Sequence, residues 1–153
     1  MPLEFLKKVF KVMNNCSTHI FQVLTKRADR LYFLSRELEW TPNIWIGVTV
    51  ENNKLTERID YLREIPSSIR FLSLEPLLSP LPNLNLRNID WVIVGGESGA
   101  NSRPIDQNWV IDIKNQCCRQ SIPFFFKQWG GWNKKANGNL LEGRVYIETP
   151  VEL

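Results

Sequence analysis

Five short apolar runs recur along this chain, and each ends in a polar or charged cluster. They read HIFQVLT-KR (19–27), IWIGVTV-EN (44–52), IRFLSL-EP (69–76), DWVIV-GGESG (90–99) and PFFF-KQWGG (123–131). The apolar stretches begin near residues 20, 44, 69, 90 and 123, at intervals of 24, 25, 21 and 33 residues. A crossover between parallel strands needs a dozen or more residues, and these intervals supply them. The run 44–50 is apolar at nearly every position, as a central parallel strand is and a one-sided antiparallel strand is not. The pattern predicts an α/β fold of parallel (β/α) repeats, either a partial, TIM-like barrel or an open parallel sheet. Parallel strands would gather all five polar clusters at one end, where such folds keep their binding chemistry.

The intervening segments carry helical periodicity. Leu6, Phe10 and Met13 share one side of residues 3–13, and Leu31, Leu34 and Leu38 share one side of 28–39. Leu55, Ile59 and Leu62 mark a short helix that Pro66 closes, whereas Pro76, Pro80 and Pro82 exclude a regular helix from 76–89. Asp106 reads as the N-cap of a helix reaching about Gln120, with Ile105 and Val110 as a hydrophobic staple. Three successive Phe at 124–126 call for cover on both faces, which predicts a strand inside the sheet rather than at its rim. Residues 1–131 then form the barrel-like domain, and 132–153 a C-terminal extension with a small hairpin turning at Glu142-Gly143. A full barrel takes about 250 residues, so a second chain or a further segment is expected to complete the sheet.

Composition narrows the function classes. Hydrophobic residues make up 43% of the chain, with eight Phe and six Trp, which argues for a packed core. The net charge of +3 comes without a stripe of Lys and Arg, so nucleic acid is not an expected partner. No run reaches the roughly 20 apolar residues that span a bilayer, and the N-terminus lacks a secretory layout, so the expected location is cytoplasmic without a membrane partner. Cys16, Cys117 and Cys118 offer neither a disulfide framework nor a CxxC spacing, and no metal site is expected from this chain.

The candidate chemistry lies at the strand ends. Glu51, Glu75 and Glu97 each follow a different strand, and grouped carboxylates serve as acid and base or bind a cation. Lys26, Arg27, Arg103 and Lys127 would neutralise those acids or hold a small anionic ligand, with Asn52 beside Glu51. Gly95, Gly96 and Ser98 belong to a glycine-rich loop that reads either as an anion nest or as a tight turn. Lys127, Gln128 and Trp129 join a cation and an amide to an aromatic that either stacks a base or packs into the core.

The segments FQVLTKR, NIWIGVTVEN, RFLSLEPLL, IDWVIVGGESG, RPID and PFFFKQWGG resemble the phage gene-product thirty-seven/sixty-eight family of phage and prophage proteins, over roughly Val9 to Pro150. That resemblance implies that Lys26, Arg27, Glu51, Asn52, Glu75, Glu97, Ser98, Arg103, Lys127 and Gln128 occupy motif positions. Members of that family carry a Cys-rich stretch ahead of this region, which looks like a radical-SAM type of iron–sulfur arrangement. The resemblance therefore implies the C-terminal portion of a radical-SAM-like enzyme, inactive alone. An iron–sulfur cluster and S-adenosylmethionine would belong to a full-length relative, and a Cys-bearing N-terminal segment would be the partner. The alternatives are a non-enzymatic phage accessory protein that binds a nucleotide or a protein, and a carboxylate-based hydrolase using Mg²⁺ or Mn²⁺.

Overall fold

The computed structural model describes residues 2–133 and 137–150; residues 134–136 and 151–153 of the C-terminal extension lie outside the described residues. Five strands, β1 (Phe21–Thr25), β2 (Ile44–Thr49), β3 (Arg70–Leu74), β4 (Trp91–Gly95) and β5 (Phe124–Gln128), form one sheet. Their order is β1-β2-β3-β4-β5, and every neighbouring pair is parallel. The helices are α1 (Leu3–Asn15), α2 (Ala28–Leu34), α3 (Glu57–Arg63) and α4 (Gln107–Arg119). Asp106 caps α4 by accepting a hydrogen bond from the Asn108 N–H at 2.7 Å. Between β3 and β4 the chain is irregular, and its Leu77, Leu81, Leu84, Leu86 and Ile89 are buried. Side chains replace the missing helix there. Gln116 of α4 donates to Leu81 O and accepts from Leu84 N, while Arg63 of α3 donates to the carbonyls of Asn85 and Arg87.

Strand order in sequence order means that each crossover moves one step in the same direction. All the helices consequently pack on one face. That face holds the main core, in which Ile44, Ile46 and Val48 of β2, Leu72 and Leu74 of β3, and Val92 and Val94 of β4 meet Phe10, Leu31, Leu62, Val110 and Ile113. The alternate positions of the same strands form a separate cluster of Trp45, Phe71 and Trp91, with Ile93 and Phe125 against it. No helix covers that second face among the described residues. Strand β2 is buried throughout because its two faces serve two different clusters.

The second face is concave. Five flat strands would hold β1 and β5 about 19 Å apart, yet Gln22 and Leu24 of β1 and Phe125 and Lys127 of β5 line one cavity of about 350 Å³. The sheet curls as a barrel wall does and stays open after five strands.

β5 is the terminal strand, contrary to the expectation from its three Phe. Phe124 and Phe126 face the helices, and Phe125 leans on Trp91 with ring centroids 5.9 Å apart. The outer edge of β5 is closed by the C-terminal extension. Phe126 N donates to Tyr146 O at 2.9 Å, and Ile147 bridges Phe125 in antiparallel sense. Glu142 and Gly143 have φ of 50° and 76° and turn the chain between Leu141 and Arg144, the geometry of a two-residue hairpin loop.

Candidate functional site

The polar clusters gather in three groups at the strand ends. The first surrounds Glu51, just past β2. Its Oε1 lies 2.7 Å from Lys26 Nζ and its Oε2 accepts from Arg58 Nη1 at 3.1 Å. The Glu51 side chain is only 10% exposed. Burial pushes its carboxyl up, but the Lys26 hydrogen bond, its own N–H and the two cationic charges outweigh that and hold it below the ordinary range. Arg58 also donates to Thr49 O at 2.7 Å, so this cluster ties α3 to the end of β2. Arg58 was not legible as a site residue, since a charged position on a short helix normally faces water.

The second group is the loop after β4. Arg103 grips Glu97 through Nε and Nη2 at 2.8 and 2.6 Å, and its backbone N–H adds a third bond at 2.8 Å. These bonds, the side-chain ones first, hold the Glu97 carboxyl at about 2. Glu97 is therefore occupied in folding its own loop. The glycines here are not an anion nest, because Gly96 N donates to Gln128 O and Gly99 N to Gly131 O. Their purpose is close approach: a Cβ on Gly96 would overlap the Trp129 carbonyl, so this loop and the one after β5 can zip together. Trp129 takes the packing alternative, with its ring 4.6 Å from Phe126 and its indole N–H on Leu140 O.

The third group sits at the mouth of the concave face. Glu75 accepts from Lys127 Nζ on Oε2 at 3.1 Å and from Gln128 Nε2 on Oε1 at 3.3 Å. These residues stand on β5 and just beyond β3, two strands or about 10 Å apart. Two local features let them meet. Gly95 of β4 lies between them without a side chain, and a Cβ there would sit 3.1 Å from the Glu75 Cδ. The register also slips at this point, pairing Val94 with Phe126 but Gly95 with Gln128. The extra residue is a bulge that brings consecutive side chains onto the same carboxylate. Gln128 extends the network to Ser98 Oγ at 2.9 Å.

The remaining candidates stand apart. Arg27 pairs with Asp29 at 3.4 Å, and Asn52 accepts from Lys54 N at 3.0 Å in a local turn. The three glutamates thus take separate cations instead of sharing a site, and among the described residues no group of three or more His, Cys, Asp or Glu is placed to hold a metal ion. No helix among them is long and apolar enough to cross a membrane.

A family model described as "Protein of unknown function (DUF5131)" matches residues 1–150, nearly the whole chain. The chain belongs to that family. No curated protein and no solved structure matches it. In this DUF5131 chain the third group opens onto a cavity, because Glu75 and Lys127 line the concave hollow with Phe71, Trp91, Ile93 and Phe125.

Proposed function

We propose that this chain forms the ligand-facing wall of a barrel-type active site, and that its mouth takes a small anionic ligand through Lys127. The observation that carries this reading is the bulge in β5, which turns Lys127 and Gln128 onto Glu75 where the strands end. Lys127 is half-exposed while Glu75 is 21% exposed, so an incoming anion reaches the ammonium group first. Gln128 then continues to hold Glu75, which is left as a hydrogen-bond acceptor or base beside the bound anion.

An iron–sulfur cluster, implied by the resemblance to phage proteins, does not fit the cysteines of this chain. Asn43, next to the start of β2, donates to Cys16 O, and Ile122, just before β5, donates to Cys117 O. Both cysteines, and Cys118 with them, therefore lie where strands begin, at the opposite end from the mouth. Burial also pushes the Cys117 thiol up to about 12. Thiolates for a cluster would have to come from another segment or chain, and the anion-binding role of Lys127 is independent of them.

Titration calorimetry with ribose 5-phosphate tests the reading. Binding should weaken at least about tenfold in Lys127→Ala, recover in Lys127→Arg, and fall with added salt, as a charge-assisted contact does. Unchanged affinity in Lys127→Ala would remove the mouth as the anion site.

A further inference from the structure

The concave hollow beneath the mouth has a chemistry of its own. Its floor is Phe71 and Trp91, its far wall is Ile93 and Phe125, and Leu24, half-exposed, faces them from β1. Trp91 stands nearly perpendicular to Phe125 and to Trp45, at 87° and 86°. This edge-to-face packing fixes the rings and leaves a rigid aromatic lining. The hollow measures about 350 Å³, at the small end of ligand cavities. Ser73 and Gln22 add hydrogen-bonding groups along its sides. Apolar walls from opposite ends of a curled sheet define a slot, and a slot suits a flat group. The ammonium at its mouth complements a negative charge on that same ligand.

We infer that the hollow receives a flat heteroaromatic ring whose anionic substituent reaches Lys127, so that the ligand is a ring-bearing phosphate of the nucleotide class. This rests on the reading of Lys127 given above. It relocates base stacking from Trp129, which is spent on packing, to the lining around Phe125 and Trp91.

Three probes separate the parts: adenosine 5′-monophosphate, ribose 5-phosphate and adenosine, each titrated into the full chain. The monophosphate should bind about tenfold tighter than ribose 5-phosphate, the low end of what stacking one base contributes. Phe125→Ala should erase that advantage and leave ribose 5-phosphate affinity unchanged. Leu24→Asn, an uncharged polar change at an exposed position, should do the same where Phe125→Ala lowers the melting temperature. Equal affinity for the two phosphates overturns the ring slot and leaves the mouth reading standing. Adenosine binding as tightly as its monophosphate overturns the link to Lys127, and no binding by any probe removes both.

Discussion

Glu97 and Glu51 show how neighbours set what a carboxylate contributes. The Glu97 carboxyl falls from its usual 4.5 to about 2 because Arg103 binds the ionised form. A lowered folded-state value stabilises the protein above the unfolded value and loses that effect as acid protonates the group. Stability from this pair is therefore fully present above pH 4.5 and declines toward pH 2. Glu97→Gln should be less stable than the wild type in urea at pH 6, and the difference should shrink by pH 3. A difference independent of pH would show that the pair contributes nothing through charge. Gly47 makes the corresponding case for packing. It lies on the concave side of β2, where an added Cβ would overlap the Phe71 ring, and Phe71 is buried. Gly47→Ala should cost about 1–3 kcal/mol, the usual penalty for overpacking, read from urea denaturation.

Among the elements, β5 departs most from what its residues suggest. Three consecutive Phe read as a strand enclosed by neighbours, yet it ends the sheet. The discrepancy has a physical cause: the chain supplies its own cover, since the 146–148 segment returns to bond Phe124 and Phe126. Glu148 adds a side-chain acceptor for Phe124 N at 2.8 Å, and its carbonyl takes the Trp91 indole N–H at 2.8 Å. Ending the chain at Gly143 should expose this edge. Light scattering should then report aggregation on heating at a temperature where the intact chain stays clear. The helices were legible because periodicity, proline stops and the Asp106 cap are local signals. The bulge was not, because a register slip is a relation between two strands far apart in sequence.

At the scale of the molecule, the two sheet edges differ. The extension closes β5, whereas β1 pairs only with β2 among the described residues. Phe21 N donates to Asn43 O, so the alternation of a parallel ladder turns the N–H groups of Gln22 and Leu24 outward. Ile20 and Leu24 are exposed beside this edge. The chain should associate through β1 as its concentration rises, as measured by sedimentation velocity. Gln22→Pro removes only an outward donor and should reduce that association without unfolding the protein. Association unaffected by Gln22→Pro would place the contact elsewhere.

Local chemistry alone was enough to establish five parallel strands, the irregular proline-rich crossover and a polar end of the sheet. Those features depend on residue spacing, backbone restriction and period, all of which act over a few neighbouring positions. Packing in three dimensions settled which charges meet. Glu51, Glu75 and Glu97 look equivalent as a pattern, but sheet curvature, the missing side chain at Gly95 and the slip opposite Val94 place Glu75 on the concave hollow with Lys127. Such outcomes follow from distances across the sheet, and no property of an isolated segment encodes them.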